Sequence, residues 1–283
     1  MKNKICIVTG ANTGIGKSTA AGLAALGAGV IIVCRNKEKG EEAKRQIIKQ
    51  SKNDLVHLFV ADLSSMNEIK KLSEEIHNKF VTIDVLVNNA GIILHQRQLT
   101  VDGYEYQFAV NYLSNFLLVH LLMDLLKKAS PSRIINVSSG AHRGVGINFN
   151  DLHSEKEYKY LQVYGMSKLA QVLFTYKLAN ELSGTGITVN TLSPGVVATN
   201  LLSDFQGKPR ALGFLHKIKN DSPDKGAETP LYLATSDEVK NITGKYFANK
   251  KVEDTSMVSY DQNTAERLWN ESLKLCGITK FGI

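Results

Sequence analysis

The chain has 283 residues, of which 43% are hydrophobic and 22% charged, and its net charge is +7. This composition supplies a sizeable core, and the length allows one large α/β domain or two small ones. Basic and acidic residues alternate, as in RNKEKGEEAKRQ, and no aromatic-basic motif is present, so the charge does not indicate a nucleic-acid partner.

The three cysteines are far apart, which argues against a disulfide framework and a zinc site and suits a reducing compartment. We expect no bound metal. The N-terminus runs directly into a predicted strand, without a signal peptide. The longest apolar stretch, FLLVHLLMDLL, is too short to span a bilayer and predicts a buried helix. We therefore expect an intracellular, cytoplasmic protein without a transmembrane segment; peripheral membrane or organelle contact and a homo-oligomer stay open.

Short β-rich runs alternate with helical runs along the chain. The runs that predict strands are 4–10, 29–35, 55–63, 83–91, 133–139, 186–195 and 243–249. Strands that are apolar on both faces and separated by helices predict a mostly parallel sheet with helices on both faces. We expect one doubly wound, Rossmann-type α/β domain over residues 1–283, with about seven strands. The segment 203–226 lacks a strand signal and is a candidate substrate lid.

The stretch CIVTGANTGIGKSTA joins the first predicted strand to the first helix through a glycine-rich turn. Glycines let a phosphate approach the backbone, and a helix N-terminus offers N–H groups and a positive dipole end. Residues 11–18 nearly match a P-loop, for which Asp62 could serve as the magnesium-side acid. Gly10, Gly14 and Gly16 instead fit a dinucleotide-binding turn. This segment alone does not separate the two interpretations.

The second predicted strand ends in VIIVCRNKEK. Cys34 stands where a site that prefers NAD usually carries an acid for the ribose hydroxyls, and Arg35 follows it. A guanidinium can pair with a 2′-phosphate, which a carboxylate would repel. Lys17 could add charge to the same pocket. The pattern favours NADP over NAD.

The spacing Tyr-x-x-x-Lys occurs twice, as Tyr164–Lys168 and as Tyr246–Lys250. The first pair lies in a run with helical periodicity, which places the two side chains about 6 Å apart. The second lies on a strand leading into a turn, where residues with this spacing are about 13 Å apart. We expect Lys168, together with an oxidised nicotinamide, to lower the pKa of Tyr164 from about 10, so that the phenol can exchange protons with a carbonyl or alcohol oxygen.

Five motifs, TGANTGIG, NNAG, NVSSGA, YGMSK and LSPGVVATN, follow one another within residues 1–250. In this order the chain resembles the short-chain dehydrogenases/reductases, and the ordered set favours the dinucleotide turn over the P-loop. GVIIVCRN, HLFVADLSS and the terminal AERLWNESLKLCGI look most like retinol dehydrogenases. Those enzymes prefer NADP and act on retinal, retinol and other lipophilic aldehydes or alcohols. Many carry an N-terminal membrane anchor, which we do not expect here.

The resemblance implies a role for each matching residue. Ser139 would hydrogen-bond the substrate oxygen, Tyr164 would exchange the proton, and Lys168 would also bind the nicotinamide ribose. Asn111 would help hold a water in a proton relay toward Lys168. With Arg35 and Lys17 added for the phosphate, the predicted cofactor-binding residues are Gly10, Asn12, Thr13, Gly14, Ile15, Gly16, Lys17, Arg35, Asp62, Leu63, Asn89, Ala90, Gly91, Tyr164, Lys168, Pro194, Gly195, Val197 and Thr199.

The sequence therefore predicts an NADP(H)-dependent oxidoreductase that moves a hydride between the nicotinamide and a lipophilic carbonyl or alcohol. The alternative from another functional class is an NADPH-binding sensor or regulatory protein without turnover. The catalytic set formed by Asn111, Ser139, Tyr164 and Lys168 favours the enzyme, because a sensor has no need of the tyrosine.

Overall fold

A computed structural model describes residues 1–195 and 222–283. Its strands form one sheet in the order β3-β2-β1-β4-β5-β6-β7-β8. They are β1 (Ile5–Thr9), β2 (Gly29–Cys34), β3 (Val56–Val60), β4 (Val85–Asn88), β5 (Arg133–Val137), β6 (Thr188–Ser193), β7 (Tyr246–Ala248) and β8 (Lys251–Val252). β1 to β7 pair in parallel, and β8 pairs antiparallel with β7. The predicted fold class is confirmed. The additional strand β8 has two exposed residues, which carry no hydrophobic pattern.

Helices cover the sheet. They are α1 (Gly14–Ala25), α2 (Lys37–Ser51), α3 (Met66–His77), α4 (Tyr106–Phe108), α5 (Ser114–Lys128), α6 (Tyr160–Glu181), α7 (Pro223–Thr235) and α8 (Gln262–Leu275). Side-chain caps start several of them, since the Asn36 side chain accepts from the Lys39 N–H at α2 and Ser65 accepts from Glu68 at α3. A π-helical turn over Ala109–Leu113 joins α4 to α5.

The core lies on both faces of the sheet, as β2 shows most clearly, because every residue of that strand is buried. Successive side chains of a strand point to opposite faces. Accordingly Ile31 packs into the core under α3, α5, α6 and α8, whereas Ile32 packs into the core under α1 and α7. This explains why the strands read as continuous apolar runs instead of alternating ones.

The continuous helical segment Tyr106–Lys128 is the one described helix long and apolar enough to span a bilayer by length and composition. Its most apolar window is 83% buried inside the protein. Leu117 and Leu118, for example, both lie in the core under α3 and α6. The packing is that of a central core helix, as the sequence predicts for FLLVHLLMDLL.

The strand order reverses at β1, which pairs with β2 on one side and β4 on the other. In doubly wound sheets the crevice beyond the carboxyl ends of the strands at such a reversal is the usual ligand site. The glycine turn after β1 and the NNAG turn after β4 therefore meet at the same place.

Candidate active site

A cleft opens at this reversal point and runs from the glycine turn to α6. Most of the predicted cofactor-binding residues line it: Gly10, Asn12, Thr13, Gly14, Ile15, Gly16, Arg35, Asp62, Leu63, Asn89, Ala90, Gly91, Tyr164, Lys168 and Pro194. Gly195 directly follows Pro194 and is exposed, with φ of +83°. Val197 and Thr199 lie outside the described residues.

The predicted lid over 203–226 is described only at its C-terminal end. Pro223 begins α7, and the Ser222 side chain caps the helix by accepting from the Lys225 N–H. This end of the segment is therefore regular helix, which agrees with the absence of a strand signal there. Residues 203–221 lie outside the described residues.

The glycine turn is tied to the end of β4. Gly10 has φ of +65°, and a Cβ on Gly16 would lie 2.4 Å from Asn89 Nδ2 and 2.5 Å from the Gly10 carbonyl oxygen. Asn89 Nδ2 donates to the Thr9 carbonyl at 2.8 Å, and the Asn89 N–H donates to Thr9 Oγ1 at 3.0 Å. Only glycine fits at position 16, and the amide of Asn89 holds the turn in place.

Helix α1 begins in this turn, at Gly14, and has no acidic residue in its first turn. The first N–H groups of a helix lack intrahelical partners and carry the positive end of the dipole. An acid among them would repel an anion. The start of α1 therefore offers a favourable environment for a phosphate group at the edge of the cleft.

Arg35 lies at the far end of the cleft, after β2. Its side chain is 63% exposed, its Nη1 donates to the Tyr106 hydroxyl at 2.9 Å, and the same nitrogen lies 3.8 Å from Asp62 Oδ2. Lys39, in the first turn of α2, also lines the cleft. Lys17 instead lines an adjacent groove, where its Nζ donates to Gln46 Oε1 at 2.9 Å.

Lys39 and Tyr106 were therefore missed by the sequence analysis. For Lys39 a signal existed, because RNKEK places it one helical turn beyond Asn36, the residue that caps α2. No local pattern marks Tyr106, which is 71 residues from Arg35 in the chain and meets it only in the folded protein.

Two adjacent serines follow β5 and point to different partners. Ser138 is buried, and its hydroxyl donates to the Lys168 carbonyl at 2.9 Å. Ser139 is half-buried, and its hydroxyl hydrogen-bonds the Tyr164 phenol and accepts from the Ala141 N–H at 3.2 Å. Of the two serines, Ser139 is the one in contact with the tyrosine.

Lys168 and Tyr164 share one face of α6. Lys168 is 3% exposed, and its Nζ donates to the Val137 carbonyl at 3.0 Å and to Gln171 Oε1 at 3.1 Å. The ammonium nitrogen lies 5.6 Å from the centroid of the Tyr164 ring. The two side chains are therefore adjacent, buried and at the inner end of the cleft, as helical spacing predicts.

The pKa of Tyr164 is shifted in the direction opposite to the one expected, and the pKa of Lys168 is shifted too. Burial raises the pKa of Tyr164 to about 12, and the hydrogen bond from Ser139 opposes this rise only in part. Burial lowers the pKa of Lys168 to about 7. The expectation that Lys168 lowers the phenol pKa is thus not met by the groups of the chain alone, because desolvation of the phenolate outweighs the hydrogen bond from Ser139.

Asn111 lies in the π-helical turn. Its Oδ1 accepts from the Ile92 N–H at 2.7 Å, and its Nδ2 donates to the Ile92 carbonyl at 3.0 Å and to Ser167 Oγ at 2.9 Å. The Asn111 carbonyl accepts from Asn115 Nδ2 at 2.9 Å. Asn111 therefore ties the segment after β4 to α6, beside Lys168; its part in a water relay stays a prediction.

The family model described as short chain dehydrogenase matches residues 4–209. Retinol dehydrogenase 13 of Mus musculus is 43% identical over 283 residues, which covers 97% of this chain and 84% of the relative. Retinol dehydrogenase 14 of Homo sapiens is 39% identical over 297 residues, covering 99% of this chain and 88% of the relative.

Solved structures share the fold. A crystal structure of an uncharacterized protein from Mycobacterium paratuberculosis has a TM-score of 0.81 at 30% identity and covers 100% of this chain and 96% of that one. A Pseudomonas aeruginosa RhlG/NADP active-site complex has a TM-score of 0.72 at 27% identity, covering 87% of this chain and 94% of that one. The likeness extends over the sheet and the helices that form the cleft.

Proposed function

The chain belongs to the short-chain dehydrogenase family, and we propose that it is an NADP(H)-dependent oxidoreductase acting on lipophilic aldehydes or alcohols, retinal and retinol among them. The observation that carries this proposal is the position of Tyr164 and Lys168. They are buried side by side on α6, at the inner end of a cleft whose other end is a glycine turn and a helix N-terminus.

The residues of the cleft fit a nicotinamide dinucleotide. The start of α1 suits the pyrophosphate, and Asp62 and Leu63 line the adenine end. When bound, the nicotinamide ring supplies or accepts the hydride. Lys168 would hold the ribose beside it, with Pro194 at the carboxamide. Tyr164 and Ser139 lie where a reacting oxygen could contact both hydroxyls.

The preference for NADP rests on the end of β2. Cys34 leaves no carboxylate there to repel a 2′-phosphate, and the exposed guanidinium of Arg35 can reach one. Lys39 lines the same end of the cleft, and we assign it to this phosphate together with Arg35. Lys17 belongs to the neighbouring groove and would contribute a weaker, longer-range attraction.

Proton transfer follows from the local chemistry of the catalytic residues. With a pKa of about 12 the phenol of Tyr164 is protonated at neutral pH, so it is ready to donate to a carbonyl oxygen as the hydride reaches the carbon. Ser139 would hold that oxygen and stabilise the charge that develops on it. Lys168, with a pKa of about 7, can return a proton toward the tyrosine at neutral pH.

The lipophilic substrate is supported by the relatives. Retinol dehydrogenases match almost the whole chain, including the C-terminal region that forms α8. The proposed lid over 203–226 would supply substrate contacts. We also propose an intracellular, cytoplasmic location, with contact at a membrane surface left open, and subcellular fractionation of the tagged protein tests it. Light scattering gives the oligomeric state.

The decisive experiment incubates the purified chain with NADPH or NADH and a panel of aldehydes that includes all-trans-retinal. We expect the reduced nicotinamide to be consumed, faster with NADPH. Tight NADPH binding without turnover of any aldehyde would reject the proposed enzyme and favour a cofactor-binding sensor. Protection from thermal unfolding by ATP and magnesium but not by NADPH would instead indicate a nucleotide hydrolase.

A further inference from the structure

Lys168 is enclosed by uncharged groups. Its Nζ contacts the Val137 carbonyl from β5 and Gln171 Oε1 from its own helix. From the segment after β4, a Cβ placed on Gly91 would lie 3.3 Å from Nζ and 3.4 Å from Asn111 Oδ1. No charged side chain among the described residues forms a salt bridge with Lys168.

In the described part of the chain, Gln171 is the one side chain that accepts a hydrogen bond from that ammonium, and it is fully buried. An ammonium has only donors, so the amide must present its oxygen to Lys168. This orientation leaves Gln171 Nε2 without a hydrogen-bond partner in the described structure. A buried amide group without a partner destabilises a protein, so a glutamine that merely fills space is a poor choice here.

We propose that Gln171 is a positioning residue for Lys168: it aims the ammonium toward the inner end of the cleft and, being neutral, leaves its charge uncompensated. This inference rests on the proposed function, since the charge matters there for proton exchange by Tyr164. A carboxylate in the same place would pair with the ammonium and weaken its field at the phenol. An apolar side chain would remove the acceptor and leave Nζ with the Val137 carbonyl alone.

The groups that face Lys168 determine in which direction a substitution at position 171 would shift the pKa of Lys168. They are the Tyr164 phenol on α6, Asn111 from the π-helical turn, Gly91 after β4 and the Val137 carbonyl on β5. The phenol is the titratable member of this set, and its pKa is raised to about 12, so it is neutral over the range tested. A new carboxylate at position 171 would therefore raise the pKa of Lys168, and an apolar residue there would lower it further.

The test compares Gln171→Glu with Gln171→Met, both close in size to glutamine. The Lys168 side chain is titrated by NMR of lysine-labelled protein without cofactor, and its signal is assigned by its loss in Lys168→Met. We expect the Lys168 pKa to rise by about one unit or more in Q171E and to fall by about half a unit in Q171M. The limb of the kcat/KM pH profile that follows Lys168 should move in the same opposite directions.

Thr175→Val is the matched control. Thr175 is buried one turn further along α6, donates to the Gln171 carbonyl at 2.8 Å and accepts from Asn136 Nδ2 at 2.9 Å. The Thr175→Val variant should have a lower melting temperature and an unchanged Lys168 pKa.

The outcomes separate this inference from the proposed function. Equal Lys168 pKa values in wild type, Q171E and Q171M, or shifts of the same sign in both variants, would overturn the role of Gln171 even if NADPH-dependent turnover is found. Opposite shifts in a protein that turns over no aldehyde would support the positioning of Lys168 and reject the enzyme.

Discussion

The two Tyr-x-x-x-Lys pairs of this chain have buried tyrosines in common and little else. Tyr164 is 8% exposed and Tyr246 1% exposed. Lys168 is buried among neutral partners, whereas the side chain of Lys250 is 47% exposed and its Nζ lies 3.1 Å from Glu228 Oε2. Lys250 lies in the turn that joins β7 to β8, with φ of +63°.

Tyr246 supports the site without entering the cleft. Its ring centroid lies 4.9 Å from that of His142, and the Arg143 guanidinium lies 5.5 Å from the same ring. The buried His142 pairs through Nδ1 with the Ser139 carbonyl at 2.7 Å. The comparison shows that the same spacing places a lysine in two different environments: Lys168 is buried without a counter-charge, while Lys250 is exposed and paired with an acid.

The largest expected effect separates the two tyrosines. Tyr164→Phe should lower kcat about 10²- to 10⁴-fold, because it removes the group that exchanges the proton. Tyr246→Phe removes one hydroxyl outside the cleft and should change kcat by less than about tenfold. Steady-state rates with NADPH and an aldehyde measure both. Comparable losses of kcat in the two variants would contradict the assignment of proton exchange to Tyr164 alone.

The second effect concerns the pH dependence of stability. The pKa of Lys168 is lowered from 10.5 to about 7 in the folded protein. Between pH 7 and 10.5 the lysine therefore carries a proton in the unfolded chain and has largely lost it in the folded protein. Stability should therefore rise with pH from about 7 to 9, by up to roughly 2–3 kcal/mol, and the rise should vanish in Lys168→Met. Denaturant unfolding at both pH values measures it.

Lys250→Met is the matched control, since its exposed cation should leave that pH dependence in place. The raised pKa of Tyr164 has the opposite sign: stability is lost as pH rises from 10 toward about 12. The measurement therefore stays below pH 10. A slope unchanged in Lys168→Met would mean that this lysine is charged in the folded protein.

A smaller effect, on cofactor affinity, is expected from the exposed cations around the cleft. Arg35→Ala should weaken NADPH binding about fivefold to tenfold, because a solvent-exposed charge pair contributes roughly 1 kcal/mol. NADH binding should be almost unchanged, and so should NADPH binding in Lys17→Ala, whose ammonium faces Gln46. Fluorescence titration gives the dissociation constants. Equal weakening of NADPH and NADH would contradict the assignment of Arg35 to the 2′-phosphate.

The smallest effect comes from the second lysine. Lys250→Met and Glu228→Gln each break an exposed ion pair and should change the free energy of unfolding by less than about 1 kcal/mol, with kcat unchanged. Thermal and denaturant unfolding measure the first quantity and steady-state rates the second. A large loss of activity in Lys250→Met would show that the second pair also belongs to the site.

Local patterns were sufficient for much of this molecule. The seven longer strands and the helix carrying Tyr164 were readable because their side chains are buried with a regular period. The glycine turn was readable because it needs residues without a Cβ. The two residues of β8 and the short α4 carry no such period. Tyr106 escaped notice because its significance is a contact with Arg35, which is distant in the chain. Gln171 escaped notice because its significance depends on the burial of Lys168.

By itself the sequence determined the sheet, its order of elements and which tyrosine stands one helical turn from a lysine, since these follow from local periodicity and spacing. The tertiary structure alone decided the environment of that pair. Burial sets the direction of both pKa shifts. The packing of the chain also places the Lys17 ammonium against Gln46 instead of in the cleft. Desolvation depends on everything packed around a charge, and no short stretch of sequence contains that information.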